Sequence, residues 1–229
     1  MRLGILGGTF DPLHWGHLFI AEETRDLFNL DSVLFIPAKI PPHKIGKTIS
    51  SETHRLEMLN QVIQDHEAFD FSDMEFNRPG PSYTVETLKE VQRQNPEAEL
   101  YFIMGQDSFL EIETWYQYQE LFSLCRLVVV RRPGTAKIEI TDYSKGVQNT
   151  LQGHLIRVED PLKFSKKHLK SDWKVCLLMI SGMLISASEI RQRVLMGRTI
   201  RYLVPEAVRQ YISRQNLYGQ EVDDENTDQ

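Results

Sequence analysis

Leu3-Gly4-Ile5-Leu6-Gly7-Gly8-Thr9-Phe10-Asp11-Pro12-Leu13-His14-Trp15-Gly16-His17 stands almost at the start of the chain. Residues 3–6 have the length and apolar content of a buried strand. That strand empties into a glycine pair, a proline turn and two histidines three residues apart, where a helix is expected to begin. Such a unit suits the phosphates of a nucleotide. Glycines let backbone N–H groups approach phosphate oxygens, and a helix N-terminus favours negative charge. Imidazoles at i and i+3 share one helix face, so His14 and His17 could reach the same anion. Two plainer readings compete: histidines that cap a turn or sit satisfied in a core, and a zinc site. Zinc normally takes a third or fourth ligand at a recognisable spacing, and none is obvious nearby, so no metal ligand is assigned.

Outward from this unit, strand-length apolar runs alternate with helix-period segments. Candidate strands fall at 2–7, 32–37, 69–76, 99–105, 126–131, 154–158 and 174–180, and candidate helices at 17–28, 52–65, 84–94 and 117–124. The alternation predicts an α/β fold, Rossmann-like and doubly wound, with a mostly parallel sheet and helices on both faces. Ligands of such sheets bind beyond the carboxyl ends of the strands. The informative loops, after the first, second, fourth and seventh candidate strands, all fall on that edge, as does the helix start after the third. One domain is expected over 1–219, with the less regular 134–173 an insertion or a small lobe. The acidic tail 220–229 reads as disordered.

Composition bounds the function. The 229 residues can bury a sizeable core, and the net charge of −6 argues against a general nucleic-acid binder. No run of about 18 apolar residues exists to cross a membrane. Met1 leads directly into the first strand, with no secretory leader pattern. Cys125 and Cys176 read as buried thiols rather than a disulfide framework, which points to the cytoplasm. Self-association into a homo-oligomer stays open.

A second phosphate-handling element follows the last strand at Leu184-Ile185-Ser186-Ala187-Ser188-Glu189-Ile190-Arg191. Ser186 with Glu189 has the form of a capping box, and Arg191 lies about one turn into the helix. Taken alone this reads more readily as an ordinary capped helix whose Arg faces solvent. Pro41-Pro42-His43-Lys44 is a stiffened loop with cationic or near-cationic groups. Pro81-Ser82-Tyr83-Thr84 opens a helix, with Ser82 or Thr84 as its cap. Gly105-Gln106-Asp107 ends a strand, and Trp115-Tyr116 follows, where the Trp either packs or stacks on a flat heterocycle.

Thr9-Phe10-x-Pro12 followed by His14-x-Gly16-His17 resembles the loop of the nucleotidyltransferase superfamily, which includes the class I aminoacyl-tRNA synthetases. Lys163-Phe164-Ser165-Lys166-Lys167 looks like the Lys-Met-Ser-Lys-Ser loop of those synthetases. It precedes the final strand, however, and no basic anticodon-binding domain follows it. A solvated lysine-rich face is the better reading. Over Met1 to about Gly219 the motifs together are similar to the bacterial nicotinate-nucleotide adenylyltransferases, including a closing helix at Tyr202-Leu203-Val204-Pro205-Glu206-Ala207-Val208. Ala187 and Ser188 stand where that superfamily commonly has Ser and Thr.

The resemblance implies transfer of the adenylyl group of ATP to nicotinate mononucleotide, with His14, His17 and Arg191 carrying the chemistry. It implies that Gly7, Gly8, Thr9, Phe10, His14, His17, Gly105, Asp107, Ile185, Ser186, Ser188 and Arg191 hold ATP, with Mg²⁺ bridging the triphosphate. His43 and Lys44 would meet the mononucleotide phosphate, Asp107 ribose hydroxyls, and Trp115 the pyridine ring. Tyr83, Thr84 and Tyr116 would complete that pocket, with the backbone amides of Thr84 and Tyr116 receiving the ring carboxylate. A helix N-terminus prefers a carboxylate to a neutral amide, which favours nicotinate over nicotinamide. Three alternatives remain: a phosphopantetheine adenylyltransferase, which would lack the Trp115 and Tyr83-Thr84 elements; a non-catalytic nucleotide-binding regulator; and a synthetase fragment.

Overall fold

The centre of the sheet is built from runs too apolar to face water on either side. In the computed structural model, which describes residues 1–40, 49–131, 135, 137–165, 167, 172–181 and 184–219, these runs pair as one seven-stranded sheet. Its strands are β1 (Arg2–Gly8), β2 (Ser32–Pro37), β3 (Phe69–Phe71), β4 (Glu99–Gly105), β5 (Arg126–Arg131), β6 (Leu155–Val158) and β7 (Val175–Met179). The order is β3-β2-β1-β4-β5-β7-β6, and every pairing is parallel. Parallel neighbours need crossovers, and α-helices fill those from β1 through to β6. The α-helices are α1 (Trp15–Phe28), α2 (Glu52–Ile63), α3 (Thr84–Gln94), α4 (Gln106–Leu110), α5 (Tyr118–Leu124) and α6 (Lys145–Leu151), with α7 (Ala187–Leu195) and α8 (Glu206–Arg214) following β7. This is the doubly wound α/β architecture expected of the sequence.

Side chains alternate between two cores, as a strand's period of two requires. Leu100, Phe102 and Met104 of β4 join Leu127 and Val129 of β5 under α3, α5 and α6. Tyr101 and Ile103 join Val128 and Val130 on the opposite face, against Ala21 and Phe28 of α1 and Leu59 and Ile63 of α2. A third, smaller cluster sets Met58 of α2 against Ile185, Ile190, Val204, Val208 and Ile212. It seats α7 and α8 beside the sheet rather than on it. The chain leaves β1 for β2 and β3, then returns to β4 on the other side of β1. That winding reverses between β1 and β4, whose carboxyl ends mark the crevice where ligands of such sheets bind.

Several boundaries differ from the sequence reading. The strand expected over 69–76 pairs only through Phe71, because a turn closes from Phe76 N–H to Asp73 O. Helix α1 starts at Trp15, two residues early, since His14 serves as its N-cap. Helix α2 stops at Ile63, and α5 begins at Tyr118 after Gln117 takes a left-handed turn. The short helices α4 and α6 were not expected. Residues 134–173 contribute α6 and the edge strand β6, which lies parallel to β7. The closing helix begins at Glu206, later than the motif 202–208, and Tyr202 ahead of it has φ 67°.

Cys125 and Cys176 are buried free thiols. Burial pushes the Cys125 thiol up to about 12, and Cys176 is raised by the same cause. Lys163 is exposed and pairs with Asp160 at 3.0 Å, while Phe164 packs on Phe28. Among the described residues, no helix is long and apolar enough to cross a membrane.

Phe28 anchors one core, its ring 5.9, 5.2 and 5.5 Å from those of Tyr101, Phe164 and Trp173. Phe28→Ala is expected to destabilise the protein by about 3–5 kcal/mol, the usual cost of emptying a buried aromatic site. Urea unfolding measures this, and a loss under about 1 kcal/mol would show that the neighbours collapse into the space.

Candidate active site

Strand β1 delivers Gly7 and Gly8 to the crevice as its last two residues. A Cβ on Gly8 would lie 3.0 Å from the Phe10 ring, so glycine is needed there for close packing. Phe10 itself has φ 49°, in the left-handed region. That conformation costs a residue with a side chain about 1–2 kcal/mol. The Phe10 ring is buried against Phe35 at 5.8 Å and His17 at 5.0 Å, contacts that offset the strain. The loop therefore owes its shape to the core beneath it.

Asp11 follows at 2% exposure. Its Oδ1 accepts from the Tyr218 hydroxyl at 2.6 Å and its Oδ2 from Ser50 N–H at 3.2 Å. The Tyr218 phenol is held well above its ordinary range, first by burial and then by the Asp11 charge. The Asp11 carbonyl accepts from Arg191 Nη1 at 2.6 Å. One residue thus joins the β1 loop to the approach of α2, to α7 and to the segment after α8.

The histidines do not share a helix face in the simple i, i+3 sense, because His14 precedes the helix. As N-cap it is extended, with φ −146° and ψ 167°, whereas His17 is the third helical residue. Their rings stack, centroids 3.7 Å apart and planes at 19°. His17 Nδ1 accepts from the His14 N–H at 3.3 Å. A neutral ring whose Nδ1 accepts carries its proton on Nε2, and so presents a donor there. His14 is buried and His17 half-buried, so His17 is the more accessible of the two. A Cβ on Gly16 would lie 3.0 Å from His14 Nδ1, so this glycine leaves room for the His14 ring.

That segment brings the second element. Ser186 caps α7, its Oγ accepting from Glu189 N–H at 3.1 Å. The expected reciprocal half of the box is replaced: the Glu189 carboxylate pairs with Arg193 at 2.9 Å. Ile185 is buried in the third cluster, while Ser188 is exposed and accepts from Arg191 Nη2 at 3.3 Å. Arg191 thus reaches back to the first loop across 180 residues of sequence.

On the other side of the crevice, Gly105 ends β4 with open space where its Cβ would stand, and Asp107 is exposed in the first turn of α4. Helix α3 begins at Thr84 with Tyr83 as N-cap and no side-chain capping bond. Neither Ser82 nor Thr84 caps it. The Ser82 hydroxyl instead accepts from Lys39 N–H at 2.9 Å and Ile40 N–H at 3.3 Å, tying the exit of β2 to the start of α3. Tyr116, exposed, stacks on Tyr83 at 4.5 Å. Trp115 is half-buried and meets Phe102 edge-on at 6.4 Å. His43 and Lys44 lie outside the described residues.

Sequence reasoning missed the arginine beneath this assembly. Arg55 on α2 is 2% exposed and donates to the carbonyls of Thr9 at 3.1 Å, Ala38 at 2.6 Å and Ser50 at 3.1 Å. Its guanidinium lies 5.0 Å from the Phe76 ring centroid. Burial lowers its pKa, and the charges of Asp11 and Glu52 oppose that effect. A signal was present: Arg55 occupies the i position of the buried stripe that continues at Met58, Leu59 and Ile63. Tyr218 and Asp11 carried no comparable signal.

The chain matches the cytidylyltransferase-like family model over residues 5–193. It is 45% identical to the "Probable nicotinate-nucleotide adenylyltransferase" of Geobacter sp. (strain M21) over 220 residues, covering 95% of this chain and 98% of that protein. A protein of the same description from Desulfitobacterium hafniense (strain Y51) is 42% identical, with 95% of each covered. Among solved structures, Plasmodium falciparum nicotinic acid mononucleotide adenylyltransferase complexed with NaAD superposes with a TM-score of 0.70 at 20% identity. It covers 95% of this chain and 97% of that one, a likeness of fold.

Gly16→Ala is expected to displace the His14 ring from its stack on His17, because the added methyl would stand 3.0 Å from a buried imidazole. The imidazole proton resonances of both residues should shift together in a two-dimensional NMR spectrum. Unchanged resonances would mean that helix α1, rather than the ring, moves aside.

Proposed function

The chain belongs to the cytidylyltransferase-like family and, within it, to the nicotinate-nucleotide adenylyltransferases; from that membership and the site we propose that it transfers the adenylyl group of ATP to nicotinate mononucleotide. The products are nicotinic acid adenine dinucleotide and pyrophosphate, a step of NAD biosynthesis. The observation that carries this reading is the bond from Arg191 Nη1 to Asp11 O at 2.6 Å. It makes one site of two phosphate-handling elements that stand at opposite ends of the sequence.

The reaction needs no protein nucleophile. The 5′-phosphate of the mononucleotide attacks the α-phosphorus of ATP in line, the bond to the β-phosphate oxygen breaks, and pyrophosphate leaves. Catalysis then rests on positioning and on stabilising spread negative charge. His17 meets the α-phosphate through Nε2, which is the donor of the tautomer whose Nδ1 accepts the His14 N–H. His14 serves adjacent oxygens. Arg191, with donors beyond the two that hold Asp11 and Ser188, takes the leaving β- and γ-phosphates with the opening of α7. Gly7, Gly8, Thr9 and Phe10 line the triphosphate, Gly105 leaves room for adenosine, and Asp107 holds ribose hydroxyls.

For the acceptor, the opening of α3 supports a carboxylate. Its first N–H groups have no side-chain cap from Tyr83, and an anion at that place satisfies donors and dipole together. The amides of Thr84 and Tyr116 receive that carboxylate, beside Tyr83 and Trp115, and His43 and Lys44 meet the mononucleotide phosphate. Among the described residues no three carboxylate, imidazole or thiol groups stand together as a metal cage. A magnesium ion would travel on the triphosphate, keeping waters as ligands and neutralising phosphate charge.

Pyrophosphate release from ATP tests the reading when nicotinate mononucleotide, nicotinamide mononucleotide and phosphopantetheine are supplied in turn. Release is expected with the first and far less with the second; release with phosphopantetheine alone would overturn it. His17→Ala should lower kcat by about 10²–10³, the loss of one charge-stabilising donor, and near-normal turnover would remove His17 from the chemistry. Trp115→Ala should raise KM for the mononucleotide and spare that for ATP. If both constants stay put, Trp115 only packs on Phe102.

A further inference from the structure

Arg55 is given no substrate of its own above, yet it lies buried beneath the substrate loops and bonds them through backbone carbonyls. Its guanidinium donates to Thr9 O in the phosphate loop, Ala38 O at the exit of β2 and Ser50 O before α2. In a trans peptide the C=O and N–H point to opposite sides. Holding Ala38 O thus also aims the Lys39 N–H, which donates to Ser82 Oγ at 2.9 Å. Ser82 immediately precedes Tyr83, the N-cap of α3. Through Thr9 O the same guanidinium fixes the Thr9–Phe10 peptide, in the loop where Phe10 holds a left-handed conformation. A continuous path of hydrogen bonds therefore runs from the ATP loop, through one side chain, to the helix opening across the crevice.

We infer that Arg55 is a positioning residue that sets the ATP-phosphate loop in register with the opening of α3, so that attacking phosphate and α-phosphorus meet in line. The inference rests on the proposed function, since it concerns two substrates meeting. Buried charge is normally retained only where it finds hydrogen-bond partners, and three carbonyls from three segments take the Nε and Nη1 donors of this fork. A lysine keeps the charge but offers a single nitrogen on a flexible stem. It cannot hold all three segments in the same geometry.

The test compares wild type, R55K, S82A and the double variant in the pyrophosphate assay, with binding of each substrate measured alone. A misplacement near 1 Å can cost about 10²-fold in rate. R55K should lose about 10–100-fold in kcat. Its affinity for a non-hydrolysable ATP analogue alone, and for nicotinate mononucleotide alone, should change by less than about 5-fold, because each pocket keeps its own donors. S82A should lose about 3–10-fold, and the double variant should lose less than the product of the two, because one link is cut twice. A purely structural arginine would instead lower the melting temperature and leave kcat per folded molecule unchanged, with multiplicative losses in the double variant. Either result overturns the inference. If R55K does not fold, S82A alone decides, and an unchanged kcat there overturns it. Wild-type protein that releases no pyrophosphate sinks the proposed function and this inference with it; an active wild type matched by R55K sinks the inference alone.

Discussion

A loop whose N–H groups are proposed to meet phosphate must find other partners for its carbonyls, and here two arginines supply them. Arg55 takes Thr9 O from beneath and Arg191 takes Asp11 O from the side. A buried carbonyl without a partner would cost about 1–3 kcal/mol. The arginines thus stabilise a backbone turn that the Phe10 strain alone would disfavour. They also join parts of the chain far apart in sequence, since Arg55 stands on α2 and Arg191 on α7. The β1 loop is accordingly held as a component of the tertiary structure rather than as a local motif.

The sheet gives this arrangement a rigid base. Because both faces of β1, β4 and β5 are covered, side chains on alternate residues lock into separate cores, and a slip of one residue would exchange them. The carboxyl ends of β1 and β4 therefore sit at a fixed level relative to each other. The third cluster does the same for α7 and α8, whose apolar faces meet Met58 of α2 rather than the sheet. Tyr218, just beyond α8, then closes on Asp11.

The family to which the chain belongs is carried by strong local motifs, and the structure explains why the spacing within them matters. Two histidines three residues apart would lie on one helix face if both were helical. With His14 as N-cap, the same spacing instead brings the rings face to face and lets His17 Nδ1 accept the cap's own N–H. Gly16 between them lacks the methyl that would crowd the His14 ring in this stack. The missing cap on α3 follows a similar logic, because Ser82 is drawn away to the Lys39 amide.

Much was legible in the sequence because it depends on local periodicity. Strands β2, β4 and β5 were recognisable from apolar runs bounded by turn residues, and helix α3 from its spacing, since a strand buried on both faces must be apolar throughout. The turn after β1 and the opening of α7 were likewise visible, from glycines and histidines and from a capping serine. What the tertiary structure decided were pairings between residues far apart in sequence: Arg55 with Thr9 and Ala38, Arg191 with Asp11, Tyr218 with Asp11, Ser82 with Lys39. A backbone carbonyl has no side-chain identity for a sequence to display. Which donor reaches it is settled only when the sheet and the third core have brought the two segments together.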